Sequence, residues 1–356
     1  MKKELLLGTA LVTSLGLTSV AEAVTATMSG NHKTGIKGSS TDTSGANDTI
    51  AQVNDNNFSV SLSETTDGGT TISSSFMLMN ENSTPGDLDA GFSLTFTDGS
   101  KLDLLNAGNA SDSHDISVPA SAGSEGLTVA TTANAPTGLN FATASTVYGI
   151  EYHTAADFMM DGLKMSASYS TDTGAAAVAS ARVDGHFAVG ATYVTTAGDS
   201  TVTIGAGYSE AENSKTGTAL TSDEGGMHVG ISAVTGDLTV AVAYADGDSV
   251  ENDGSGGSSG SVQNDGEFLA AGVKYVSGDM TFNVGMKSGE SKDSDTTGTA
   301  GTTVDSYDET SASVSYAVAS GVTAYLGYTT QDVDDEGSAN AASSGSSWYI
   351  GANMSF

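Results

Sequence analysis

The chain has 356 residues, no cysteine, and 43 acidic residues against 11 basic ones, for a net charge of −32. Such a charge excludes nucleic acid as a partner, because binding there rests on neutralising phosphates, and it suits a surface bathed in salt, where carboxylates are screened. Without cysteine there are no disulfides, no thiolate catalysis and no Cys-type zinc site, so stability has to come from backbone pairing and packing.

Residues 1–23 open with Met1, Lys2 and Lys3, continue through an apolar run from Leu5 to Val20, and end in Ala21-Glu22-Ala23. A charged start, a short apolar segment and an A-x-A tripeptide are expected of a cleaved secretory signal peptide. An N-terminal membrane anchor is the rival, but Gly8 and Gly16 interrupt the run, which is shorter than the ~20 apolar residues a spanning helix needs. Residues 24–356 then form one domain. The chain's 45 Gly and many Ser and Thr resemble disorder in composition, yet its 12 Tyr and 10 Phe recur at regular spacing, which disordered segments lack.

Along residues 24–356, windows of about ten residues alternate apolar with small or polar side chains, the period of a strand between two environments. They begin at Phe58/Val60/Leu62, Phe92/Leu94/Phe96 and Tyr148/Ile150/Tyr152. The pattern continues through Leu163/Met165/Ala167/Tyr169, Phe187/Val189/Ala191/Tyr193, Val202/Ile204/Ala206/Tyr208 and Met227/Val229/Ile231. Further windows are Leu238/Val240/Val242/Tyr244, Leu269/Ala271/Val273/Tyr275, Met280/Phe282/Val284/Met286, Ala312/Val314/Tyr316 and Val322/Ala324/Leu326/Tyr328. The last is Trp348/Ile350/Ala352/Met354/Phe356.

About sixteen strands are expected, with connections that alternate between long and short. Short ones hold Asp67-Gly68, Asp98-Gly99, Ala197-Gly198-Asp199, Thr235-Gly236, Ser277-Gly278 and Ser320-Gly321, which supply positive φ for tight hairpins; Thr154 to Asp161 is a less turn-like member. Long ones are expected at 31–55, 80–88, 106–144, 171–184, 210–225, 246–266, 289–307 and 331–345. Strict alternation is the mark of an up-and-down barrel with external loops on one side and periplasmic turns on the other, and a Greek-key sandwich has no reason to obey it. The expected fold is therefore an all-β transmembrane antiparallel β-barrel, closed because an open edge in hydrocarbon costs several kcal/mol per unpaired group. Its apolar face meets lipid, and its Gly/Ser/Thr/Ala face lines a wet lumen, which makes a pore.

Strand parity turns Lys101, Lys164, Lys274 and Lys287 inward, together with His186 and His228, while Arg182 sits just before a strand. Charges avoiding lipid would show the same distribution without any role in ion passage. The longest loop, 106–144, follows the fifth strand and carries Asp112, His114, Asp115 and Glu125. Folded into the lumen, it would set these groups against wall lysines across a constriction; otherwise it is a long surface loop.

The A-x-A tripeptide, the alternating strands ending in Phe356 and the long loop after the fifth strand resemble the general diffusion porins of Gram-negative bacteria, particularly the alphaproteobacterial type. The resemblance covers essentially all of residues 24–356 and rests on architecture. It implies residues 106–144 as the pore-constriction loop, a homotrimer, and a terminal assembly signal of Trp348, Ile350, Met354 and Phe356 read by the barrel-assembly machinery. It further implies contact with outer-membrane lipid and lipopolysaccharide, and passage of small polar solutes and ions. Members of the family carry an arginine cluster opposite the loop, whereas this chain has a single Arg, Arg182; the acidic loops point instead to a mild cation preference.

No P-loop, HExxH, GxSxG or EF-hand pattern is present, and the five His have no metal-ligand spacing, so no catalytic residues and no cofactor are expected. Asp332, Asp334, Asp335 and Glu336 suit Ca²⁺ chemically, though an ordinary solvated acidic loop is the favoured reading. Two other readings stay open. A non-conducting structural barrel would need a plugged lumen, and a secreted acidic adhesin built as a β-solenoid would need a constant short repeat.

Overall fold

The structure, a computed structural model, describes residues 24–42, 48–80, 91–105, 107–120, 149–171, 181–215, 220–252, 262–293, 303–334 and 343–356. Residues 1–23, Glu125 and the rest of 121–148, and Asp335 and Glu336 lie outside them.

Sixteen strands form a closed ring in which each pairs antiparallel with its sequence neighbours. The first half comprises β1 (Thr25–Thr41), β2 (Thr49–Thr65), β3 (Thr71–Asn80), β4 (Phe92–Thr95), β5 (Lys101–Leu104), β6 (Ile150–His153), β7 (Leu163–Ser170) and β8 (Ala181–Ala197). The second comprises β9 (Ser200–Lys215), β10 (Leu220–Thr235), β11 (Leu238–Asn252), β12 (Val262–Ser277), β13 (Met280–Asp293), β14 (Thr303–Ala319), β15 (Val322–Asp334) and β16 (Ser343–Ser355). One 3₁₀ turn, Asp112–His114, lies between β5 and β6. The ring closes between β1 and β16, from Asn31 opposite Ser355 to Thr41 opposite Gly345. Beyond that ladder, Gly30 N–H donates to the Phe356 carbonyl at 3.2 Å and Phe356 N–H donates to the Gly30 carbonyl at 3.1 Å.

The expected glycine turns are present. Gly198, Gly236 and Gly278 have φ of +62°, +56° and +58°, the left-handed conformation that two-residue hairpin turns demand and side chains resist. In the β2–β3 turn the positive φ falls on Gly69 rather than on Gly68. Between β4 and β5, the Ser100 hydroxyl and N–H both donate to Asp98, at 2.7 and 2.9 Å, and hold that carboxyl below its ordinary range. The less regular connection from Thr154 onwards places Asp157 and Met159 at positive φ, and the Asp157 carboxylate accepts from Gly162 N–H at 2.6 Å.

Most of the long connections are shorter than expected, whereas those after β3 (81–91) and β5 (105–149) are longer. Residues 31–55 are not a loop, because β1 runs to Thr41 and β2 starts at Thr49. β9 and β10 likewise extend to Lys215 and from Leu220, β11 and β12 to Asn252 and from Val262, β13 and β14 to Asp293 and from Thr303. Where a barrel wall rises above the apolar band, both faces meet water, so the ladder continues in polar residues with no period to reveal it. Arg182 lies inside β8, opposite Ser214, rather than before a strand.

On β8–β15 the outward side chains are apolar and exposed, as with Ile204, Val229, Ile231, Val242, Val273, Val284 and Leu326. Tyr169, Tyr208 and Tyr328 border this band toward the loops, and Tyr275 and Tyr316 border it toward the turns, the position of aromatic girdles at the two membrane interfaces. Ile231 stands midway, opposite Ile204 on β9 and Val242 on β11. Ile231→Arg is expected to destabilise the lipid-inserted barrel by about 2–4 kcal/mol, whereas the inward Ser232→Arg costs less than half of that, as read from denaturant unfolding in lipid vesicles.

Candidate functional site

Residues 107–120 leave β5 and run along the inner wall from β6 to β13. The parity of the contacts fixes the side: the loop touches Ser166, Ser168, Gly190, Gly207, His228, Gly230, Gly272 and Gly285, each alternating with an outward apolar residue. A β-carbon on Gly190 would meet the His114 ring and the Ala110 carbonyl, and one on Gly205 would meet the His114 carbonyl. One on Gly207 would meet Ser111 and His228, one on Gly230 would meet Ile116, and one on Gly272 would meet the Pro119 carbonyl. The inward glycines of β8–β13 are thus a bed on which loop backbone lies. Here the small-residue face is dry, contrary to the expectation of a wholly wet lumen: Ala110 is 0 %, His114 2 % and Ser111 3 % exposed.

Polar side chains pin the loop at both sides of the 3₁₀ turn. Ser168 accepts from Ala110 N–H and donates to the Gly108 carbonyl, both at 2.8 Å. Glu151 accepts from Ser113 Oγ at 2.7 Å and from Gly108 N–H at 3.4 Å. The His114 ring is held at Nδ1 by Thr192 Oγ1 (2.7 Å) and at Nε2 by Ser166 Oγ (2.8 Å). Ser166 Oγ also contacts His153 Nδ1 at 2.8 Å, and His153 Nε2 faces Asp103 Oδ2 at 2.9 Å and Glu151 Oε1 at 3.4 Å. Asp103 in turn takes Ser93 Oγ and Lys101 Nζ. On the far side, His228 Nε2 meets Asp115 Oδ1 at 2.9 Å and the Ser111 carbonyl at 3.0 Å.

Burial sets the titration of the loop groups. It holds His114 down at about 4 from 6.5, with the Lys164 charge adding to the effect. Burial also raises the Asp112 carboxyl above its ordinary range, and the neighbouring Asp115 charge raises it further. Ser166, His153 and Asp103 have the composition of a nucleophile, base and acid. Ser166, however, is 4 % exposed and sits between two imidazoles, with no open face for a substrate carbonyl.

The expected basic wall residues divide. Lys101 is tied to Asp103 at 2.8 Å and Lys164 lies beside His114, so both belong to the loop's own side. Lys287 reaches Glu309 at 3.6 Å in a group with Tyr307 and Gln331, while Lys274 faces inward on β12 without joining the loop contacts described. The side chains of Arg182 and Glu125 are outside the described residues. Across the lumen, eight strands round the ring from β9, stand Lys33 and Lys37 on β1, with Lys33 3.8 Å from Asp55 of β2. They went unrecognised in the sequence because that part of β1 reads as loop. Glu151 and His153 were open to recognition, since Ile150 and Tyr152 point outward and their neighbours must point inward.

A closed sixteen-stranded barrel with a loop lying on its inner wall is the architecture of a membrane channel, and the sequence agrees over nearly its whole length. The chain belongs to the Gram-negative porin family. Its residues 8–355 match that family. No curated protein sequence matches it. Among solved structures, the in-vitro folded trimer form of OmpT from Vibrio cholerae has a TM-score of 0.61 at 17 % identity, covering 94 % of this chain and 100 % of that one. An anion-selective porin from Comamonas acidovorans gives 0.61 at 12 % identity over 94 % and 100 %. A Rh. blastica porin mutant gives 0.54 at 14 % over 93 % and 100 %. Identities this low establish the shared barrel alone. As a porin, the chain is an outer-membrane channel.

The glycine bed yields a test. Gly272→Ala is expected to push Pro119 off the wall and raise open-channel current noise several-fold in planar bilayers. Gly225→Ala, whose added carbon meets Asp248 and Ser209 only at ordinary distances of 3.6 and 3.9 Å, leaves the trace unchanged.

Proposed function

We propose that the barrel passes small hydrophilic solutes and ions by passive diffusion with no catalytic step, that residues 106–144 form its constriction, and that it mildly prefers cations. The observation that carries the reading is the seating of 107–120 inside the ring with Asp112 and Asp115 exposed and His114 buried. The carboxylates stand across the lumen from Lys33 and Lys37, so hydrated ions would pass through a transverse field. Residues 1–23 serve as the cleaved signal and Trp348, Ile350, Met354 and Phe356 as the assembly signal. Passive diffusion of this kind requires no metal or cofactor.

The protein assembles, in this reading, as a homotrimer. Outward positions on β1 and β2 carry His32, Thr34, Gln52, Asn54 and Asn56, between Phe58 and Phe356 at one level and Ile50 and Trp348 at the other. Thr34 Oγ1 donates to Asn54 at 2.8 Å and His32 is hydrogen-bonded to Asn56. A polar belt at that depth is costly against hydrocarbon and natural against a second polar wall. The neighbouring β4, β5 and β6 have four residues each. At ~3.3 Å per residue such strands reach about half the height of a ~25 Å apolar band.

Single-channel recording of the refolded protein under a KCl gradient tests the pore. Stepwise openings with a reversal potential favouring K⁺ are expected, and Asp112→Asn/Asp115→Asn is expected to cut the cation-to-anion permeability ratio by about half; insertion without conduction would overturn the reading. For assembly, Asn54→Arg/Asn56→Arg is expected to convert trimers to monomers by light scattering in detergent and triplet closures to single ones.

A further inference from the structure

Five side chains link β5 to β8 through the loop in an unbroken line: Asp103, His153, Ser166, His114 and Thr192. Their contacts admit one arrangement of protons with both imidazoles neutral. The Asp103 carboxylate only accepts, so His153 carries its proton on Nε2 and presents a lone pair at Nδ1. Ser166 has one proton, which it donates to that lone pair, and its oxygen therefore accepts from His114 Nε2–H. His114 Nδ1 is then an acceptor, and the Thr192 hydroxyl donates to it.

We propose that this one-directional hydrogen-bond chain is the positioning element of the constriction loop, with Ser166 and His153 as positioning residues, and that it makes loop seating sensitive to acid. The proposal rests on the reading of the loop as the constriction. Protonation of His114 reverses the link to Thr192 and places a buried cation beside the exposed Lys164, with no carboxylate among the described residues hydrogen-bonded to the ring. The charged and titratable groups facing His114 are Lys164 on β7, His153 on β6, His228 on β10 and Asp115 of its own loop; only Asp115 favours the protonated ring. Glu151 on β6 is engaged by Ser113 and Gly108, and Asp112, itself on the loop, faces His228.

A released loop titrates at the ordinary value of 6.5, and the seated one at about 4. The group is a histidine whose value falls on seating, so its contribution is complete above 6.5 and is lost as pH falls toward 4. Between neutral pH and pH 4 seating weakens on the order of 100-fold, with a slope that approaches tenfold per unit only between the two values. The His228 contact with Asp115 works against this, because it becomes an ion pair only when His228 is protonated. His228→Gln removes that opposition and serves as the background.

The experiment is single-channel recording of the full barrel between pH 7.5 and 4, in the His228→Gln background and with His114→Gln or Ser166→Ala added. Glutamine at 114 has a donor and an acceptor but does not titrate. Expected are a steady level at neutral pH that gives way to a second, fluctuating level on acidification in the background protein, a flat profile for His114→Gln, and fluctuation already at pH 7.5 for Ser166→Ala. An unchanged pH profile in His114→Gln overturns the proposal even if Ser166→Ala fails to fold. If Gly272→Ala alters the current while His114→Gln does not alter its pH dependence, the constriction reading stands and only the hydrogen-bond chain falls. If neither substitution affects the current, the constriction reading falls with it.

Discussion

In hydrocarbon a backbone N–H or C=O has no water to turn to, and a sheet satisfies that requirement only by meeting itself. The rest of this molecule follows from that constraint. Closure fixes an inside and an outside for every strand, so the two-residue period becomes a sorting of chemistry: Val229 and Ile231 outward, His228 and Gly230 inward. Closure also creates the enclosed space that the loop after β5 enters. The loop can lie against the wall because the inward positions it crosses on β8, β9, β10, β12 and β13 include glycine, where any larger residue would hold it away.

Where one face meets hydrocarbon and the other does not, the strands could be read in the sequence. The apolar positions of β7–β16, the glycine turns and the count of sixteen follow directly from alternation and from positive-φ chemistry. The upper half of β1 was not legible, because Asn31, Lys33, Lys37 and Ser39 inside, and His32 and Thr34 outside, are all polar and carry no period. An outward face proposed to meet another subunit in place of lipid carries no apolar period. The polar rims of β9–β14 read as loops for a related reason, since water on both sides leaves the ladder intact and the pattern silent.

The loop was half legible. Its length and its position after β5 pointed to the lumen, and Asp112, His114 and Asp115 do fall on the described inner segment. Their division of labour was not predictable from composition: His114 is an anchor, Asp115 a partner of His228, and Lys101 and Lys164 lie on the loop's own side of the pore. Sequence parity says which face a residue shares, whereas the distance round a sixteen-membered ring decides whether two inward residues are neighbours or opposites. That distance becomes visible only once the ring is closed and the loop is laid across it.

The seam between β1 and β16 has a kinetic meaning as well. Tyr349 reaches the carbonyl of Thr34, 315 residues away, and Gly30 is hydrogen-bonded to Phe356. Pairing that spans nearly the whole chain is slow to find, because the entropy of so large a loop is lost before its contacts form. Until it forms, every partial sheet carries two raw edges, so growth of the barrel and entry into lipid cannot be separated in time. A ring sealed between its first strand and its sixteenth can close only after β16 has been made.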